Sequence, residues 1–267
     1  MDNNANQPHS HEVETFSFEG CETKKGEWMS KPKLLDLFCG AGGCAKGYQE
    51  AGFYVVGVDI NPQPRYCGDE FIQGDALEFC GRLGHEFSVI HASPPCQAYC
   101  AMKTMTNSRE HPMLIEAVRE TLVKTGLPWI IENVHGAPLR DALMLCGSMF
   151  GLESNGFQLR RHRYFESNVT LTRNGMRCQH APKTLGVYGA KVRNIAQEKR
   201  HYAKPKDTRG LPVGVVLPQS WGFEAMGIDW MKIDEASEAI PPAYTEWIGK
   251  QIMQAIKQTD ESHGEGA

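Results

Sequence analysis

From position 33 onward, apolar residues fall into short runs separated by glycine, proline, Asp and Asn. Two kinds of spacing alternate. Leu34 to Phe38, Tyr54 to Val58, Phe87 to Ile90 and Pro128 to Ile131 are largely apolar runs of the length of buried strands, and Glu70 to Gln73 is a candidate third strand after the second run. Between them, Cys44 to Ala51 reads as a helix. Glu110 to Lys124 repeats apolar positions at Met113, Leu114, Ala117, Val118, Thr121 and Leu122, a helical spacing. Pro241 to Lys257 predicts a closing helix with Ala243, Trp247, Ile248, Ile252 and Ile256 on a core-facing stripe. Strands alternating with helices predict an α/β fold with a mostly parallel, doubly wound (Rossmann-like) sheet, in which ligands gather at the carboxyl ends of the strands. Residues 1–30 and 259–267 lack periodicity and are expected to be flexible tails.

The residues placed at those strand ends carry chemistry. After the first run comes Cys39-Gly40-Ala41-Gly42-Gly43, a glycine turn leading into a helix, which lets a ligand approach backbone N–H groups closely. Asp59 ends the second run, where a carboxylate can accept both hydroxyls of a ribose, and Asp75 follows the third. The fourth run leads into Ala92-Ser93-Pro94-Pro95-Cys96-Gln97. Two prolines restrict the backbone before Cys96, so the thiol sits on a stiff loop of the kind that holds a nucleophile. Glu132 closes the fifth run, at the same edge.

Composition narrows the picture. A 267-residue chain with 41% hydrophobic and 22% charged residues is long enough to bury a full core, and no stretch approaches 18 consecutive apolar residues. The first thirty residues do not have the form of a signal peptide, and the nine scattered cysteines suit a reducing compartment, so a cytoplasmic protein with free thiols is expected. Net charge is −4, yet residues 157–209 carry thirteen Lys or Arg against three acids. A basic block in an otherwise acidic chain marks a polyanion-binding face. Cys178 and His180 form a lone C-x-H pair; without a second pair this is a weak signal, and no metal is expected.

Four of these stretches, in this order, resemble the motif series of the S-adenosylmethionine-dependent cytosine-5 DNA methyltransferases: Asp36-Leu37-Phe38-Cys39-Gly40-Ala41-Gly42-Gly43, Pro94-Pro95-Cys96-Gln97, Glu132-Asn133-Val134 and Arg161-His162-Arg163. The resemblance covers about residues 33–165 and resumes near 221–252. It implies that Cys96 attacks C6 of a cytosine flipped out of double-stranded DNA. It implies further that Glu132 holds the N3 edge and supplies a proton, and that Arg161 and Arg163 orient the base. For the S-adenosylmethionine cofactor it implies a turn of Phe38, Gly40, Gly42 and Gly43, with Asp59 on the ribose, Ile60 on the adenine, Asp75 near the adenine amino group and Pro95 beside them.

On the same resemblance the chain divides into a catalytic and cofactor-binding α/β domain over 31–165, a short, irregular, basic target-recognition region over 166–217, and a segment over 218–258 that returns to the catalytic domain. A monomer that is not fused to a restriction enzyme is expected, as is a short or loosely specific recognition sequence. Three features depart from the family pattern: Leu159 in place of a glutamine, Glu238 in place of an asparagine, and the small recognition region. Two other readings keep the same residues, an RNA cytosine-5 methyltransferase of similar build and a DNA-binding relative without turnover.

Overall fold

The computed structural model describes residues 31–97, 99, 113–195 and 214–264, all within one unit spanning Lys31–Ala267. Its first half follows the apolar runs. Strand β1 (Lys33–Leu37) leads into helix α1 (Gly43–Glu50), then β2 (Tyr54–Asp59), β3 (Glu70–Gln73), α2 (Ala76–Leu83), β4 (Val89–Ala92), α3 (Ile115–Thr125) and β5 (Trp129–Asn133). β4 starts two residues later than the run from Phe87 suggests and includes His91, whose polarity hid it from a hydrophobic pattern although it is fully buried.

β6 (Leu143–Leu145) and β9 (Arg163–Ser167) complete a seven-stranded sheet in the order β3-β2-β1-β4-β5-β9-β6. The first five strands run parallel and β9 is antiparallel to both its neighbours. From β1 the chain winds outward through β2 to β3 and then returns to β4 on the other side of β1. The switch point between β1 and β4 opens a crevice at the carboxyl ends of the strands. β9 enters from the opposite direction, so its first residue, Arg163, stands at that same edge.

The region expected to be irregular is instead a second sheet of five short strands, β12-β11-β10-β8-β7. These are β7 (Glu153–Ser154), β8 (Phe157–Leu159), β10 (Thr184–Tyr188), β11 (Lys191–Asn194) and β12 (Val216–Leu217). β8, β10, β11 and β12 give one face to a core of Phe157, Leu159, Leu185, Val187, Val192 and Leu217, closed by Ala225 and Met226 of α4 (Gln219–Met226). Charged residues at the intervening positions, such as Lys191 and Arg193, masked this alternation when the stretch was read by charge. The boundaries drawn at 165 and 218 therefore cut across one body, which takes strands from before the first and a helix from beyond the second. Leu159 is fully buried in this core, which accounts for an apolar side chain where the family pattern has glutamine.

Helix α5 (Ile233–Glu238) precedes α6 (Pro242–Gly264), which packs tightly along α1. A side chain on Gly47 would put its Cβ 2.1 Å from the Pro242 carbonyl oxygen, so the two helices meet backbone to backbone. The α6 stripe is Tyr244, Thr245, Ile248 and Ile252, with Ala243, Trp247 and Ile256 only partly buried at its margin. The helix runs to Gly264, past residue 259 where a tail was expected; from Lys250 to His263 no glycine or proline interrupts it. No helix among the described residues is long and apolar enough to cross a membrane.

The buried face of α3 also differs from the periodicity reading. It is Ile115, Val118, Arg119 and Leu122, whereas Met113 is 65% exposed and Ala117 is exposed. Counting Arg119 as polar shifted the stripe. Its guanidinium is buried and donates to both oxygens of Glu166 on β9, at 2.6 and 2.8 Å, and Glu166 also accepts the Arg140 N–H at 2.8 Å. Removing one member of a buried pair strands the other charge, so Arg119→Met should cost about 3–5 kcal/mol. The measurement is urea unfolding, and Arg119→Met with Glu166→Met should recover part of the loss.

Candidate functional site

At the switch point lies a cleft of about 450 Å³. Of the residues assigned from the sequence, Phe38, Gly40, Gly43, Asp59, Ile60, Pro95, Cys96, Glu132 and Arg163 all line it. Local structure explains each position. The β1–α1 turn needs left-handed backbone at Phe38 (φ 59°), Gly40 (φ 50°) and Gly42 (φ 88°). Glycine adopts this without strain; at Phe38 it costs of the order of 1–3 kcal/mol and fixes the ring at the cleft wall. The turn is pinned by Cys39 N–H to the Val58 carbonyl (3.2 Å) and by the Trp230 indole N–H to the Ala41 carbonyl (2.9 Å).

Asp59 is held from two sides. Its Oδ2 accepts the Gly40 N–H at 3.1 Å and its Oδ1 accepts the Asn61 N–H at 2.9 Å, leaving a lone pair on each oxygen for a diol. Ile60 beside it is 67% exposed, an apolar side chain waiting at the cleft mouth. On the opposite wall, the Asn133 side-chain amide donates to the Pro94 carbonyl at 2.8 Å, and its Oδ1 accepts the Val134 N–H at 3.0 Å. Asn133 thereby binds the loop bearing Cys96 to the strand bearing Glu132. This positioning role was not read from the sequence. The quoted Glu-Asn-Val triplet held the signal.

Glu132 is 5% exposed, and burial raises its pKa, opposed by the Arg163 charge and a hydrogen bond from Ser93. Arg163 Nε stands 3.1 Å from Glu132 Oε1 as an ion pair whose angle is too bent for a hydrogen bond. Behind this wall, His91 sits fully buried, 2.9 Å from the Tyr48 hydroxyl and 2.8 Å from that of Ser93, and desolvation lowers its pKa to about 3. It is a neutral structural imidazole.

The structure separates three predicted residues from the cleft wall. Gly42 caps α1 behind it and supports the turn. Asp75 caps α2, its Oδ1 accepting the N–H groups of Leu77 and Glu78 at 2.9 Å. Arg161 is buried and donates to the carbonyls of Val187 (2.6 Å), Ser237 (2.8 Å) and Ala239 (2.5 Å). It ties the second sheet to the C-terminal end of α5, and so acts on the site by positioning rather than by contact.

Other cleft residues escaped the sequence reading. Asp36 is 1% exposed, borders the cleft, and neither of its oxygens has a hydrogen-bond partner. Burial, then the Asp59 charge, hold its carboxyl well above the usual carboxylate range. Asp234, Glu235 and Glu238 come from α5, which arrives from 200 residues away in sequence and gives no local signal. Glu235 is anchored by Arg65 at 2.8 and 2.9 Å.

The sheet is a Rossmann-like, mostly parallel one, the class in which ligands bind in the crevice at the switch point. Among solved structures, the chain is similar to one described as a DNA modification methyltransferase encoded within an E. coli prophage (TM-score 0.55, 15% identity, 84% of this chain and 99% of that one) and to the S. pombe Dnmt2 methyltransferase (TM-score 0.53, 12% identity, 86% and 99%). By sequence it is similar to the Type II methyltransferase M.XorII of Xanthomonas oryzae pv. oryzae, 27% identical over 126 residues (40% of this chain, 29% of the relative), and to M.AplI of Arthrospira platensis, 31% identical over 123 residues (40% and 33%). The chain thus spans about a third of the length of these two relatives. No protein-family model matches it.

The contrast between the two aspartates is testable. Asp59→Ala should weaken S-adenosylmethionine binding roughly 10- to 100-fold in calorimetry, the loss of charge-assisted hydrogen bonds. Asp75→Ala should leave that affinity nearly unchanged and lower stability by about 1 kcal/mol through the lost cap.

Proposed function

We propose that the protein transfers a methyl group from S-adenosylmethionine to C5 of a cytosine flipped out of double-stranded DNA, through a covalent adduct on Cys96. One observation carries this reading: Cys96, Glu132, Arg163, Asp59 and the glycine turn border a single cleft at the switch point. The cofactor fits the residues present. Asp59 would take the ribose, Ile60 and Phe38 the adenine, and Asp36, a buried carboxyl with no partner, would meet a cationic end of the ligand that favours its ionised form and supplies donors. When bound, S-adenosylmethionine supplies an electrophilic methyl on a sulfonium.

The chain's own groups do the rest. The Cys96 thiolate forms a bond to C6, breaking the 5,6 double bond, and Glu132 delivers its proton to N3 as negative charge develops there. The resulting enamine makes C5 a nucleophile. After transfer, loss of the C5 proton to a base lets the C6–sulfur bond break and returns Cys96. Arg163 holds Glu132 against the base edge and offsets negative charge near the sulfur. Arg173, Arg177 and Lys191 are exposed on and beside the second sheet and would meet phosphates, which gives affinity that falls with salt. Lys199, Arg200, Lys204, Lys206 and Arg209 of the basic block, with Tyr202, lie outside the described residues.

The test uses methyl-labelled cofactor with duplex DNA and, in parallel, transfer RNA, followed by digestion to nucleosides. Label in 5-methyldeoxycytidine is the expected product. Label in an N4-methylcytosine or N6-methyladenine nucleoside would overturn the C5 reading, and label in RNA alone would replace the substrate.

A further inference from the structure

A second cluster lies outside the cleft. Cys146 follows β6, His162 immediately precedes β9, and Cys178 and His180 belong to the connection from β9 to β10. The fold brings these three separate stretches together so that one donor atom from each of the four residues lies within 4.8 Å of all the others. Cys178 Sγ is 3.4 Å from His162 Nε2 and 3.2 Å from His180 Nε2; the two Nε2 atoms are 3.2 Å apart, and Cys146 Sγ is 3.4 Å from His180 Nε2.

We propose that Cys146, His162, Cys178 and His180 form a tetrahedral zinc site that pins the arm leading into the second sheet to the Arg161-His162-Arg163 stretch. The lone C-x-H pair, set aside in the sequence, finds its missing second pair only through the fold.

The spacing argues for a metal over chance contact. Zinc bonds of about 2.0–2.1 Å to nitrogen and about 2.3 Å to sulfur give a regular tetrahedron edges of about 3.4 Å between nitrogens and about 3.6 Å between nitrogen and sulfur. The observed separations lie within a few tenths of an ångström of these. Two imidazoles meeting Nε2 to Nε2 can place one proton between them, whereas here two sulfurs converge on the same point. Neither cysteine is in a disulfide. Soft thiolate and imidazole donors select zinc over magnesium or calcium.

The surroundings resemble a built site. The Ser148 hydroxyl faces Cys178 Sγ at 3.7 Å, and the Ala181 N–H donates to Gln158 Oε1 at 2.9 Å, fixing the Cys178–His180 turn against β8. Four protein ligands leave no open position for substrate, so the role is structural. Its lever on the site is His162, which sits between buried Arg161 and cleft-lining Arg163. Fixing that ring from one side fixes the backbone from which Arg163 reaches Glu132.

The experiment is metal analysis of the full chain purified in zinc-containing medium, followed by removal of the metal and titration of the reduced protein with Co²⁺. About one zinc per chain is expected, together with cobalt absorption of tetrahedral type and a sulfur-to-cobalt band for two thiolates. Cys178→Ser and His180→Ala should each lower zinc affinity by more than the roughly 10- to 100-fold that loss of an outer-shell partner costs. Cys80→Ser, in α2 and away from the cluster, should leave it unchanged. Hydrogen exchange over 168–183 should quicken when zinc is removed from the wild-type protein. Wild-type protein that takes up neither zinc nor cobalt at equimolar metal overturns the proposal, as does full retention of metal in both cluster variants or a Cys146–Cys178 disulfide in freshly reduced protein. The wild-type titration decides even if a variant fails to fold, and none of these readouts depends on methyl transfer.

Discussion

Under the proposed mechanism Cys96→Ser should abolish methyl transfer, with an expected loss of roughly 10⁴-fold or more, since a serine hydroxyl is a far weaker nucleophile at neutral pH. Binding should survive. Cys96 sits on a loop set by Pro94, Pro95 and the Asn133 amide, none of which depends on the sulfur, so cofactor affinity and stability should change little. The informative probe is DNA carrying 5-fluorocytosine, whose fluorine cannot leave as the C5 proton does. Wild-type protein with cofactor should give an adduct that survives denaturing electrophoresis, and Cys96→Ser should give none. A wild-type protein that binds DNA and cofactor yet never traps would leave only the DNA-binding module reading.

The second large effect is expected at Glu132. Glu132→Gln keeps the shape and a donor toward the base edge but cannot deliver a proton as charge develops, and a loss of about 10²–10⁴-fold in the rate of transfer follows. The pH dependence separates this role from simple shape. Burial raises the Glu132 pKa, so its acid form persists above the usual carboxylate range. As a general acid it works below its folded-state pKa, and the rate should fall as pH rises through that value. In Glu132→Gln that descending limb should vanish. Arg163 modulates the effect: its charge, 3.1 Å away, favours the ionised carboxylate, so Arg163→Met should move the descending limb to higher pH. An unchanged profile in Glu132→Gln would assign the proton to another group.

Two devices in the structure bear on how the cleft is kept in register. Asn133 couples the Cys96 loop to the Glu132 strand, and Arg161 couples the second sheet to Ala239, the neighbour of cleft-lining Glu238. A movement of the second sheet on meeting DNA would thus be felt at the cleft floor through one guanidinium. The carboxylate of Glu238, in place of the asparagine of the family pattern, lines the cleft beside Asp234 and Glu235. Three acidic groups on one rim favour a ligand that carries positive charge, as a sulfonium with an α-ammonium does.

What the sequence determined by itself is the parallel half of the fold and the chemistry at its edge. Short, largely apolar runs such as Leu34 to Leu37 and Tyr54 to Val58, bounded by glycine and polar turns, fit strands buried on both faces. Once they alternate with helices, their carboxyl ends must share an edge, and Asp59, Cys96 and Glu132 come with them. Periodicity failed where a polar residue is buried against a partner distant in sequence: His91 hid two residues of β4, and Arg119 turned the α3 stripe because its partner Glu166 lies 47 positions on. Only the tertiary structure decided that β7, β8, β10, β11 and β12 build a second sheet, that Asp36 is left without a partner in the cleft, that Arg161 faces backbone carbonyls, and that Cys146 and His162 meet Cys178 and His180. The physical reason is common to all four. Local propensity and pattern act within a few residues along the chain, whereas desolvation, ion pairing and donor clusters are properties of neighbours in space, and those neighbours exist only after the chain has closed.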